Sequence, residues 1–157
     1  MNISQWLFAK KLINQAYEAK KITGLPASIL ASQCILETGW GKHIPTDINT
    51  GDFSYNLFGI KARQKPYVLC YSPEFEGGKW SVRLSQFRKY NNYAESFVDY
   101  GNLILDSPQY LKAVANRNNA RAYIGELWKA GYATDPDYPN KVLQIAEQCG
   151  FIPKEKI

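Results

Sequence analysis

Between Pro26 and Gly39 the chain runs PASILASQCILET, a stretch apolar nearly all round that a first-turn proline opens and two glycines, Gly39 and Gly41, close. A helix with no polar face has to be surrounded by protein, so Ala27 to Glu37 is predicted to be the central helix of the domain, with Pro26 at its first turn. Everything else must then supply cover for it. The chain has 157 residues, 45% of them hydrophobic and 14% aromatic, which is enough apolar surface for one core and too much for a disordered segment.

The remaining periodicities divide the chain into a helical body and one inserted β region. Residues 2 to 22 repeat Trp6, Ala9, Ile13 and Ala16 at threes and fours and read as an amphipathic helix ended by Thr23-Gly24. Residues 42 to 58 hold Pro45, Asp47, Asn49, Gly51 and Asp52 without a sustained period and form a long ordered loop. From Gly59 to Tyr90 the signals change to strands: YVLCY, a Pro-Glu-Phe-Glu-Gly-Gly turn region, then WSVRLSQF with Trp80, Val82 and Leu84 alternating. One hairpin is expected, with room for a third short strand. Helical periods return over 93 to 105, after Ser107-Pro108, from Asn119 to Lys129, and from about Pro139 to Cys149, with a loop from Gly131 to Asp137. No repeat or low-complexity tract interrupts this, and a single α+β domain over 1–157 is predicted, with its β-lobe at about 59–90.

Charge and cysteine content exclude several functions. Nineteen Lys and Arg against fourteen Asp and Glu give +5, an excess that favours polyanionic partners. The cations are scattered pairs such as Lys10-Lys11 and Arg88-Lys89, with no nucleic-acid motif, so no nucleic acid is expected as partner. Cys34, Cys70 and Cys149 lie far apart and His43 is the only histidine, so neither metal nor cofactor is expected. The first twenty residues lack the pattern of a secretory signal, and no stretch approaches the ~18 apolar residues of a membrane span.

Glu37 is the residue with most chemical promise. It stands at the end of the buried helix, on one face with Cys34, Gln33 and Leu30. Partial burial disfavours its charged form, and the helix's C-terminal dipole acts in the same direction, so Glu37 is suited to hold a proton as a general acid; the plain alternative is a solvent-facing last-turn glutamate.

Four motifs follow in order: SILASQCILETGWGKH, YNLFGIKA, FRKYNNYAESFVDYGNLI and GYATDPDYPNKV. Together, from about residue 8 to residue 149, they resemble the bacterial glucosaminidases of glycoside hydrolase family 73, the class found in autolysins, flagellar peptidoglycan hydrolases and phage lysins. The resemblance implies a lysozyme-like fold, mainly helical with an inserted β-hairpin lobe and a groove between them. It implies cleavage of peptidoglycan glycan strands at the β-1,4 bond between N-acetylglucosamine and N-acetylmuramic acid, and Glu37 of ILETGWG as the acid.

A second carboxylate is expected from the hairpin, to activate water or attack directly. Glu74 is preferred and Glu76, two residues along the same side, is the alternative; the local sequence Ser72-Pro73-Glu74 departs from the family's usual threonine two places before this glutamate. The resemblance also places a functional tyrosine in GYATDPDY, assigned to Tyr132, with Tyr138 beside the substrate; both are equally able to serve as ordinary packing tyrosines. Asp135 before Pro136 reads as a turn device. Sugar faces stack on aromatic rings, and Trp40, Tyr55, Phe58 and Trp80 fall in the loop or hairpin; Trp40 and Tyr55 are the groove choices, Phe58 is equally a core candidate, and Asn56 either binds substrate or caps a turn. The expected protein is a monomer acting at the cell wall or outside the cell.

Competing readings are a muramidase or lytic transglycosylase, a cysteine amidase using Cys34 with His43, and a silent glycan-binding module. The amidase needs an exposed thiolate beside its base, whereas Cys34 lies mid-helix in an apolar run. Cys34→Ala is therefore expected to retain full clearing in a peptidoglycan zymogram, and loss of clearing by a folded variant would restore the amidase reading.

Overall fold

The computed structural model describes residues 1–154. Helix α1 (Ile3–Thr23) begins with a capping box, in which Asn2 Oδ1 accepts from the Gln5 amide at 2.8 Å and Gln5 Oε1 from the Asn2 amide at 2.9 Å. It ends on Gly24. Its buried stripe is Ala9, Leu12, Ala16, Ala19 and Thr23. Trp6, expected on that stripe, is 46% exposed, because the buried face starts one turn further along.

Helix α2 (Ala27–Thr38) is the predicted central helix: Ala27 and every residue from Ile29 to Ile35 are buried. Pro26 occupies the N-cap rather than the first turn, its carbonyl accepting from the Ile29 and Leu30 amides at 3.1 Å. Helices α1, α5 (Ala120–Lys129) and α6 (Tyr138–Gln148) pack around α2, and α3 (Tyr93–Leu105) packs on α1. A short 3₁₀ turn (Pro108–Tyr110) and α4 (Leu111–Ala115) connect α3 to α5. Leu12, Leu25, Ile29, Leu30, Ile35, Leu57, Ile124 and Leu127 have no more than 1% exposure. At roughly 2 kcal/mol for each such side chain, this cluster dominates the stability of the helical body.

The β-lobe is a single antiparallel hairpin of β1 (Tyr67–Glu76) and β2 (Lys79–Arg88). The expected six-residue turn region contracts to Gly77-Gly78, with φ of 56° and 75°, the doubly left-handed turn that suits a two-residue hairpin. Glu74 and Glu76 are thus strand residues, opposite Ser81 and Lys79. Residues 60–62 supply the third segment along the outer edge of β2, through Arg88 N to Ile60 O and Ala62 N to Gln86 O, both 2.9 Å. The alternation of Trp80, Val82 and Leu84 is present, but they point to solvent with Tyr71 and Phe75 rather than into a core. At the hairpin base Val68 and Phe87 are buried. There Arg88 holds Asp99 of α3 at 2.7 Å, joined by the Tyr90 hydroxyl at 2.5 Å.

Past α2 the chain turns sharply. Gly41 has φ 82°, and a Cβ there would stand 2.8 Å from the Phe8 ring of α1. Gly41→Ala is expected to lower the unfolding free energy by about 2 kcal/mol, combining left-handed strain with overpacking. Gly51→Ala, also at positive φ but with nothing within 4 Å, should cost about 1 kcal/mol. Urea unfolding midpoints of the two variants check the difference.

Candidate active site

The end of α2 opens onto a cleft of about 670 Å³ between the helical body and the hairpin. Glu37 and Thr38 come from the helix, Lys42 to Thr46 from the following loop, Asn56 to Gly59 from the next motif, and Cys70 to Pro73 with Phe87 from the hairpin. Glu37 is the penultimate residue of α2 and, among the residues that line the cleft, is exposed to solvent. The protein around it still removes enough water to raise its pKa above the ordinary glutamate value. Burial is the cause.

Behind Glu37 lies a tyrosine cluster held from inside the core. Gln33, one turn earlier on α2 and fully buried, donates to the hydroxyls of Tyr138 at 3.1 Å and Tyr100 at 3.2 Å. The Tyr132 ring sits against Tyr100, Tyr110 and Tyr138, with centroids 6.2, 6.2 and 5.7 Å away. Burial raises the pKa of Tyr132, reinforced by Tyr138 and Glu37, and pushes Tyr138 up to about 12. Both are therefore neutral hydroxyls, able to donate as well as accept. Asp135, read as a turn device, is one: its carboxylate accepts from the Asp137 amide at 2.9 Å and from Lys141 at 2.5 Å.

The hairpin carboxylates differ in setting. Strand alternation puts Glu74 on the same face as Cys70, Ser72 and Phe87, which line the cleft. Lys61 and Ser72 bond its carboxylate and hold its pKa below the ordinary glutamate value, Lys61 having the larger effect. Glu76 lies beyond it at the exposed tip, paired with Arg83 at 2.6 Å. Glu37 and Glu74 are thus pushed in opposite directions, the first toward holding a proton and the second toward losing one.

The aromatic candidates divide. Phe58 lines the cleft and stacks flat on Tyr100, 3.8 Å between centroids. Tyr55 packs edge-on against Phe53 and Tyr93 at 4.9 and 5.2 Å, and Trp40 packs against the core just past α2. Both rings are half-buried and stand outside the cleft lining. Trp80 is 73% exposed on the hairpin face opposite Glu74. Asn56 is fully buried, and its amide is committed to the backbone, donating to Ile60 O and Arg88 O and accepting from Ile60 N. It fixes the loop onto the end of β2.

Sequence reasoning passed over Gln33 as an organiser and Lys61 as the partner of Glu74. A glutamine in an otherwise apolar run, four residues before Glu37, was the available signal for the first. Lys61 carried none, since its pairing depends on the hairpin folding back. Cys34 has no exposure, its thiol donates to Ala31 O at 3.1 Å, and burial raises its pKa well above the ordinary thiol value, which is the state of a packed thiol and not of a nucleophile. Among the described residues no group of three or more His, Cys, Asp or Glu is placed to hold a metal ion, and no helix is long and apolar enough to cross a membrane.

Residues 13–150 match the family described as glucosaminidase, mannosyl-glycoprotein endo-beta-N-acetylglucosaminidase. The peptidoglycan hydrolase FlgJ of Pseudomonas aeruginosa is 38% identical over 144 residues, covering 90% of this chain and 36% of that protein. The exo-glucosaminidase LytG of Bacillus subtilis is 34% identical over 127 residues, 77% of this chain and 43% of its own. The chain thus spans less than half the length of these relatives. The glycoside hydrolase domain of Salmonella typhimurium FlgJ superposes with a TM-score of 0.79 at 31% identity, covering 96% of this chain and 90% of that one. With this match over most of its length and the lysozyme-like α+β architecture that accompanies it, the chain belongs to the glucosaminidase family.

Proposed function

We propose that this chain is one catalytic domain that hydrolyses peptidoglycan glycan strands at the β-1,4 bond between N-acetylglucosamine and N-acetylmuramic acid, working as a monomer at the cell wall or outside the cell. The observation that carries the reading is a glutamate with a raised pKa on the floor of an interlobe cleft, in a chain of the glucosaminidase family.

Glu37 protonates the leaving oxygen as the glycosidic bond breaks. Glu74, kept ionised by Lys61, is the second carboxylate. It stands further out along the hairpin than the residues that line the cleft, which favours water between it and the sugar and therefore inversion, with Glu74 drawing the proton from that water. Tyr132, a neutral hydroxyl near enough to Glu37 to feel its charge, orients the 2-acetamido group or the water, with Tyr138 held next to it by Gln33. Phe58 offers a ring to a sugar face, and Trp40 and Tyr55 flank the walls of the cleft, where glycan further along the strand would meet them.

Glu37→Gln is expected to lower kcat by about 10³-fold with little change in binding to cell walls, and Glu74→Gln by at least 10²-fold, whereas Glu76→Gln stays near wild type. Rate must fall as pH rises through the raised Glu37 pKa, because the acid loses its proton. It must also fall as pH drops through the lowered Glu74 pKa, because the base gains one. The profile is then a bell whose limbs lie on either side of the ordinary glutamate value, and in Glu37→Gln the alkaline limb disappears. Mass spectrometry of the digest should show N-acetylglucosamine at the new reducing end. Anhydro sugars, with both Glu74→Gln and Glu76→Gln fully active, would establish a lytic transglycosylase instead.

A further inference from the structure

The outer edge of β1 is the part of the cleft whose hydrogen-bonding groups the fold leaves open. At Leu69 both main-chain groups point away from β2: its amide donates to Asp47 Oδ2 at 2.8 Å and its carbonyl accepts from Ile48 N at 2.9 Å. On the far edge of β2, Gln86 and Arg88 bond outward to Ala62 and Ile60 in the same way. In an antiparallel pair such outward residues alternate with those that bond across the ladder. Given the register, Tyr71, Pro73 and Phe75 are outward on β1, as Leu69 is. The position of Pro73 agrees with this, since a proline there removes no ladder bond.

After Leu69 the covering loop departs, and Tyr71 and Pro73 line the cleft that holds Glu37. The Tyr71 carbonyl meets only the Cys70 thiol, at 3.5 Å, and its amide has no partner among the described residues. Lys42, on the wall contributed by the loop, is exposed and makes no ion pair or hydrogen bond among the described residues. An open strand edge with a free cation near it matches an extended peptide bearing carboxylates better than it matches a sugar, because the edge offers main-chain groups in register with other main-chain groups.

We propose that the β1 edge at Tyr71, with Lys42, binds the peptide stem that branches from the glycan strand. The Tyr71 amide donates to a stem carbonyl and the Lys42 ammonium meets a stem carboxylate. The inference rests on the peptidoglycan reading above and adds that the domain recognises the branch as well as the sugars.

Two experiments test it. The first compares kcat/KM on strands that retain their stems with strands stripped of them by an amidase. Wild type is expected to prefer the stem-bearing strands by about tenfold, the worth of a hydrogen bond and an ion pair held together. Tyr71→Pro deletes the outward N–H without touching the ladder and should bring the ratio near one, Lys42→Gln should reduce it severalfold, and Tyr71→Ala, which keeps the N–H, should retain most of it. Equal rates on both substrates in wild type, or an unchanged ratio in Tyr71→Pro, overturn the proposal.

The second experiment needs neither cleavage nor a folded proline variant. In the amide NMR spectrum of wild type, the Tyr71 resonance should shift on adding a soluble disaccharide-peptide and stay in place with the disaccharide alone. No shift, or the same shift with both, overturns the stem site. Absence of cutting on any strand while the Tyr71 shift persists would count against the glycosidase reading and leave the stem site standing.

Discussion

The fully buried amide of Gln33 donates to the hydroxyls of Tyr100 on α3 and Tyr138 on α6, joining three helices at a point one turn from Glu37. Left unpaired, such an amide would cost on the order of 2 kcal/mol, so the core tolerates it only where both tyrosines meet it. The same geometry orders the site. Tyr138 is fixed by Gln33, Tyr132 packs between Tyr138 and Tyr100, and Phe58, which lines the cleft, stacks on Tyr100, so the tyrosine cluster behind the cleft is assembled from inside the core outward. A glutamine in the apolar run of α2 thus sets where hydroxyls and rings stand relative to Glu37.

The two carboxylates acquire opposite tendencies from ordinary surroundings. Glu37 is on a helix whose whole circumference is packed, so even at its open end it has lost part of its water. Glu74 is on a hairpin that has water on both sides, and there a lysine and a serine hydroxyl decide its state. The difference follows from architecture: a buried helix ending in a cleft raises a carboxyl's pKa, and a projecting strand with a cation across it lowers one. The opposite protonation tendencies of Glu37 and Glu74 therefore come with the division into body and lobe.

That relation explains which parts were legible in the sequence. The limits of α2 and α3 were readable because an all-round apolar run and a clean helical period are local properties, and the raised pKa of Glu37 was readable because it is the charged residue at the end of the apolar run. Trp6 was misplaced because the repeat of α1 fits two neighbouring stripes, and only packing against α2 and α3 selects Ala9, Leu12, Ala16 and Ala19. The hairpin was drawn too short because Pro73 reads as a turn residue until its outward position on an edge strand is known. Trp40, Tyr55 and Asn56 were named from the chemistry of sugar binding. Their ring and amide partners, Phe53, Tyr93, Ile60 and Arg88, are settled by how a long loop closes on distant elements, which no local pattern encodes.

Trp40 and Tyr55 still have a part in building the cleft. They are the non-glycine residues with left-handed backbones among those described, at φ 62° and 55°, a conformation that costs roughly 1 kcal/mol each. Each stands where the chain must reverse: Trp40 just after α2, so that Lys42 to Thr46 can form one wall, and Tyr55 just before Asn56 to Gly59, which form the next. The half-buried rings offset that cost by packing on the core and on Phe53 and Tyr93. A glycine in either place would relieve the backbone and forfeit the anchor, so the large ring and the strained turn belong together. The two aromatics proposed to meet glycan are also, in the fold, the pair of anchored turns on which the walls around Glu37 are hung.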